Sequence, residues 1–293
     1  MKKICKLIVF IIKITAIAAL VNYHVKILVA YLRGSENEDE LTYDYHFGNI
    51  RYIKRGSGPA MLLLHSLAMN ASKAEWEPLI KQLSKNYTVY IPDLPGFGHS
   101  DQPEISYSAY LYSSFINAFI EDVIGEKAIV MASGKSADFS VCSATLKPEN
   151  FEKLILISPK GFCTTPFRCS IRTAVRKFVE IPIYGTFVYN MIWLDFLAKD
   201  IILNLPKLDI PKAKQSSKFA MAALFSGDMD INIKEAAGET GLPTFIALGN
   251  SDSISGIPCD IETRLFCNAK GLPHLGAESH KFMDEIEAWM EKQ

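Results

Sequence analysis

The chain has 293 residues, 49% of them hydrophobic, with 31 Lys and Arg against 32 Asp and Glu. That length and apolar content supply one full core, and a single large α/β domain with an insertion accounts for it better than two independent domains. A net charge of −1 leaves no field to draw nucleic acid or a strongly anionic substrate, which sets nucleic-acid partners aside.

The first 33 residues, "MKKICKLIVFIIKITAIAALVNYHVKILVAYLR", open with Lys2, Lys3 and Lys6 and then run apolar to Leu32, interrupted by Lys13, Asn22, His24 and Lys26. A spanning helix needs about 20 largely apolar residues. A central Lys costs about 2.5 to 3.5 kcal/mol on insertion scales, which many Ile and Leu at roughly −0.5 each offset. At about 100° per residue, Lys2, Lys6, Lys13 and His24 fall between roughly 200° and 240° on the helical wheel, one narrow basic stripe. Four readings stand: a retained anchor, a cleaved signal with Ala16, Ala18 and Ala19 as small residues, a helix lying in the membrane surface, and a helix docking onto a membrane-protein partner. The Lys-rich start and the acidic "SENEDE" exit favour an N-terminus inside and a body outside the cytoplasm by the positive-inside bias, while five thiols in the body argue the other way, so the side stays open.

Residues 34 to 40, "GSENEDE", are charged and turn-rich and read as a linker. From there "YDYHF" and "NIRYIKR" form a predicted hairpin through Gly48. Buried strands are predicted at 61 to 64, 88 to 91, 128 to 131, 153 to 157 and 244 to 248. Helical spacing lies between most of them, at 74 to 85, 107 to 123 and 136 to 146, and again from 279 to the end. This alternation predicts an α/β fold: a mostly parallel twisted sheet flanked by helices, with ligands at the carboxyl ends of the strands. The alternation stops over 161 to 240, where aromatic and basic helical stretches carry no strand pair; this segment reads as a helical lid inserted between core parts 41 to 160 and 241 to 293. The six cysteines, Cys5, Cys142, Cys163, Cys169, Cys259 and Cys267, contain no CxxC pair, and no Cys and His cluster has zinc-ligand spacing, so neither a metal nor a cofactor is expected. With Cys5 in the leader, an odd five remain in the body, which favours free thiols over a disulfide framework.

Five ordered segments, "GNIRYIKRGSGPAMLLLHSL", "YTVYIPDLPGFGHSDQP", "LKPENFEKLILISP", "PTFIALGNSD" and "KGLPHLGAESHKFMDEIEAW", resemble the α/β-hydrolase superfamily in its lidded branch of esterases, epoxide hydrolases and haloalkane dehalogenases. Such hydrolases hold a nucleophile on a sharp turn between strand and helix, flanked by small residues, with an acid and then a histidine following in the chain. The resemblance implies that Gly134 stands where the nucleophile would be, with Ala132 and Ser136 at the small positions. Asp252 stands at the acid, and Gly271 at the histidine. Glycine can neither attack a carbonyl nor move a proton. An elbow nucleophile sits in costly backbone, so glycine there relaxes the turn by about 1 to 3 kcal/mol. Ser136, Ser133 and His274 are the candidate substitutes. The segment "LLLHSL" corresponds to the oxyanion segment: the amides of Leu67 and Lys135 would form the cradle, and Ser66 replaces the usual glycine. Asp93 matches a loop that shapes the site, and Lys135 would either charge the pocket floor or pair with the lid.

Two functions follow. One is a membrane-attached pseudo-hydrolase that binds a small molecule in a lidded pocket without turnover. The other is an active hydrolase of ester-type bonds with a displaced triad of Ser136 or Ser133, Asp252 and His274. An open pocket lined by Phe187, Tyr189 and Trp193 would serve either; a collapsed one would favour a third reading, a structural partner for another membrane protein through the leader stripe.

Overall fold

The structure is a computed structural model that describes residues 2–33, 39–162, 170–204, 215–250, 252, 257–258, 261–266, 272–275 and 278–292. The long apolar stretch forms α1 (Lys2–Arg33), and a hairpin follows, β1 (Glu40–Tyr45) and β2 (Gly48–Arg55). Alternation then runs through β3 (Ala60–Leu64), α2 (Glu77–Leu83), β4 (Thr88–Pro92), α3 (Ala109–Phe119), β5 (Ala128–Ser133), α4 (Lys135–Leu146) and β6 (Phe151–Ile157). Four inserted helices come next, α5 (Ser170–Glu180), α6 (Tyr184–Asn204), α7 (Lys218–Ser226) and α8 (Lys234–Glu239). The chain returns as β7 (Thr244–Gly249), β8 (Glu262–Phe266) and α9 (Ser279–Met290). Glu40 begins β1, so the expected linker gives its last residue to the sheet.

Among the described residues, eight strands make one sheet in the order β1-β2-β4-β3-β5-β6-β7-β8. Pairing is antiparallel at β1–β2 and β2–β4 and parallel from β4 through to β8. The continuous apolar runs are explained by this placement: β3 and β5 lie in the middle of the sheet, covered on both faces, and all their residues are buried. Side chains alternate between two cores. Leu62, Leu64, Val130, Ala132 and Leu156 face α3 and α4, whereas Met61, Leu63, Met131, Ile155 and Phe245 face Trp76, Phe282 and Trp289. The expected set lacks β8, because its Glu262, Thr263 and Arg264 give no apolar run; it is an edge strand, where charge blocks pairing with another chain.

The inserted helices sit over the carboxyl ends of β3 and β4. The Ser216 amide donates to Met69 O at 3.0 Å, the Ser217 amide to Gly96 O at 2.7 Å, and Trp193 Nε1 to Asn70 Oδ1 at 2.8 Å. The leader is joined to this layer. From Thr15 onward, α1 lays a stripe of Thr15, Ala18, Asn22, Val25 and Val29 toward α6, where Val25 packs with Trp193 and Leu197. Asn22 Nδ2 donates to Ile183 O at 2.9 Å and its Oδ1 accepts from Asn190 at 3.0 Å. The basic stripe of Lys2, Lys6, Lys13 and His24 is exposed, on roughly the opposite side of the helix.

Candidate functional site

The strand-to-helix turn predicted around Gly134 is present. Gly134 is buried at the end of β5 with φ +57° and ψ −126°, and its amide donates to Ile157 O at 2.8 Å. This backbone is the reason glycine is at home here: positive φ brings a Cβ against the backbone. Space is not the obstacle, since a Cβ built on Gly134 would meet its nearest neighbour, Ser66 Cβ, at 3.4 Å. Gly134→Ser is therefore expected to fold with a loss of about 1–2 kcal/mol from backbone strain alone. Thermal unfolding of the full chain checks this; a loss of the folded state would mean the turn has no room for a side chain.

Around the turn the polar groups converge on a residue that carries no motif in the sequence. Glu75 lies in a one-turn helix, Lys73–Trp76, and its side chain is 8% exposed. Its Oε2 accepts from the Ser66 amide at 2.9 Å and from Ser66 Oγ at 2.6 Å; its Oε1 accepts from Ser133 Oγ and from His274 Nε2, the latter at 3.0 Å. Burial by itself raises this carboxyl, but the hydrogen bond and attraction of His274 and the hydroxyls of Ser133 and Ser66 outweigh it, holding the pKa down to about 2. The His274 ring is fully buried, stacks on Trp76 at 4.6 Å between centroids, and leaves Nδ1 without a partner among the described residues. Glu75 escaped the sequence reading because an acid beside Trp76 in a short polar helix looks like any exposed helix position.

The remaining predicted residues are occupied elsewhere. Ser136 Oγ, fully buried, donates to His65 O at 2.6 Å. Asp252 accepts from Lys160 Nζ and from the Gly249 amide, each at 2.9 Å. Burial pushes its pKa up, and the donors Ser158, Lys160 and Gly249 bring it below the ordinary value. Lys135 pairs with Asp230 of the insertion at 2.8 Å and lies 3.5 Å from Asp138. Asp138 is buried with its pKa raised to about 6 by desolvation, against the opposing pull of Lys135 and the Gly161 and Lys160 amides. His65 fixes the loop after β3, with Nδ1 against Ser66 O at 2.7 Å and Nε2 accepting from the Leu94 amide at 3.0 Å; burial lowers its pKa. Leu67, next along, is half-buried against the core. Gly271 lies outside the described residues, as do Cys163, Cys169, Cys259 and Cys267, while Cys5 and Cys142 are free thiols.

The structure thus gathers Ser66, Ser133 and His274 on Glu75 and leaves Ser136, Asp252 and Lys135 in three other contacts. In a catalytic triad the imidazole lies between hydroxyl and acid; here the carboxylate lies between hydroxyl and imidazole. Among the described residues no cluster of His, Cys, Asp and Glu is placed to hold a metal ion. The pocket expected behind the aromatics Phe187, Tyr189 and Trp193 takes another form. Trp193 is fully buried under α1, and Tyr189 OH donates to Ser216 O at 2.6 Å. A cavity of about 800 Å³ lies between α1, α6, the loop after β4 and the start of α7, lined among others by Asn22, Lys26, Glu104, Thr186, Tyr189 and Lys218.

The sheet order, the inserted helices after β6 and the turn at Gly134 define the class: the chain is an α/β-hydrolase-fold protein. Residues 59–167 match the family model for the alpha/beta hydrolase fold. The chain is 30% identical over 106 residues to an uncharacterised protein of Mycobacterium tuberculosis, covering 36% of this chain and 30% of that one. It is 34% identical over 109 residues to the 2-(acetamidomethylene)succinate hydrolase of Mesorhizobium japonicum, covering 37% and 38%. Each match therefore spans well under half of the relative's length. Among solved structures, a thermophilic esterase from Thermogutta terrifontis superposes with a TM-score of 0.68 at 17% identity, covering 86% of this chain and 98% of that one.

Proposed function

We propose that this protein is a membrane-attached α/β-hydrolase-fold protein that has given up hydrolysis and binds a small amphiphilic molecule. One observation supports the loss of chemistry: glycine stands in the turn between β5 and α4, and the polar groups beside it are drawn onto the carboxylate of Glu75. With no hydroxyl at 134 and the His274 Nε2 proton committed to Glu75, no group among the described residues is set to attack a carbonyl and none to take its proton. Ser136 and Asp252 are bound to His65 and Lys160, which speaks against the displaced triad. Ligand binding is assigned to the cleft between α1 and α6, whose volume falls within the range of small-molecule sites and whose walls mix apolar side chains with Asn22, Asn190, Lys26, Lys218 and Glu104. Membrane attachment rests on α1, the one described helix long and apolar enough to cross a bilayer.

The test is fluorophosphonate labelling and ester turnover of the full chain, for the wild type and for Gly134→Ser with Gly271→His. A silent wild type and a double variant labelled at position 134 are expected. Labelling of the wild type at Ser133 or Ser136, with turnover, would make the protein an active hydrolase.

A further inference from the structure

The reading of α1 as a membrane helix meets a length problem, and the insertion answers it. The helix packs on the insertion from Ile14 onward, so only Lys2 to Lys13 projects clear of the body. At ~1.5 Å per residue that segment is about 20 Å long, against a hydrocarbon core about 30 Å thick. The membrane must then reach about 10 Å further along the helix, to roughly Val21. That level of α1 is where the insertion is attached: Thr15 meets Tyr184 OH at 2.5 Å and Asn22 meets Ile183 O at 2.9 Å.

At this level the insertion exposes apolar side chains, with the exposed Lys177 beside Phe178 and the Arg176–Glu180 pair before Ile181. Phe178 at the end of α5 and Ile181 and Ile183 in the corner before α6 are all exposed, at 44%, 44% and 38%, beside Ile14 and Ile17, which are also exposed. A soluble corner would carry Asn, Gly or Asp; this one reads Ile-Pro-Ile. Ile183 moreover has φ +63°, a conformation a β-branched residue adopts only against strain. Phe178, Tyr184, Phe187 and Val188 close against Ile14, Ile17 and Ala18 around a cavity of about 220 Å³ with wholly apolar walls. The apolar surface of the corner is thus continuous with that of the helix, and the exposed Lys13 lies on the side of α1 away from α6.

We propose that the α5–α6 corner, Phe178, Ile181 and Ile183, is immersed in lipid hydrocarbon alongside the first half of α1, so that the insertion itself is a membrane-contacting surface. This rests on the reading of α1 as a membrane helix, and the two can fail separately. The three native tryptophans, Trp76, Trp193 and Trp289, are buried, so a tryptophan placed on the surface reports its own surroundings above their constant signal. Full-length Ile181→Trp, Phe10→Trp and Leu146→Trp would be reconstituted into phosphatidylcholine–phosphatidylglycerol vesicles brominated on the acyl chains, with Phe178→Trp as a second corner variant. Leu146 is exposed at the far end of α4, away from the insertion. The expected result is loss of the added fluorescence at positions 10, 178 and 181, with none at 146. Loss at position 10 with none at 178 and 181 would overturn the immersed corner and keep the anchor. No loss at any position would overturn both.

Discussion

Glu75→Gln is expected to lower the unfolding free energy at pH 7 by about 3 kcal/mol, and the gap between variant and wild type is expected to close in acid. The carboxyl titrates near 4.5 in an unfolded chain and about 2 in the fold. Because the folded pKa is the lower one, the carboxylate contributes its full stabilisation above pH 4.5, and that contribution disappears as pH falls from there toward 2. At about 1.4 kcal/mol per unit, the difference amounts to about 3 kcal/mol. The physical source is a buried anion with four donors around it, two from Ser66 and one each from Ser133 and His274. Urea unfolding of both proteins at pH 7, 5 and 3 measures it. A gap that is the same at every pH would mean that Glu75 acts through packing rather than charge.

Lys73→Met is expected to cost about 3–5 kcal/mol, the range for removing one partner of a buried ion pair. Lys73 is 3% exposed, its Nζ lies 2.5 Å from Asp93 and 3.1 Å from Glu40, and its amide donates to Asp93 at 2.6 Å. His99 joins the same group through Glu40, with Nδ1 at 2.9 Å, and through its amide to Asp93 at 2.8 Å. Methionine fills the volume of the lysine stem and removes only the charge, so two buried carboxylates lose their shared cation. Adding Asp93→Asn should recover part of the loss, since one of the two anions is then gone. Denaturation midpoints of the single and double variants decide it; no recovery would mean that the lysine stem, not its charge, holds the loop. This network clamps β1, the one-turn helix that carries Glu75 and the loop after β4, so it positions the site without touching it.

Asp93 was legible as a loop-shaping residue because the segment around it resembles a family pattern. Glu75 was not, because its partners Ser133 and His274 lie 58 and 199 residues away in the chain and carry no periodic signal. The central strands were legible as apolar runs because both faces of β3, β5 and β6 are covered, whereas β8 was hidden by the charges an edge strand carries. The stripe by which α1 packs on α6 was equally hidden: a helix apolar on nearly every side shows no single face.

By itself, then, the sequence determined the α/β sheet, the sharp turn with glycine at its centre and the long apolar helix, since each is written in local pattern or in spacing along one segment. Tertiary structure alone decided which groups meet. It set Glu75 among Ser66, Ser133 and His274, turned Asp252 toward Lys160 and Lys135 toward Asp230, and laid α1 along α6. Such contacts depend on distances across the fold, and a side chain's partner there is chosen by the packing of elements far apart in the chain.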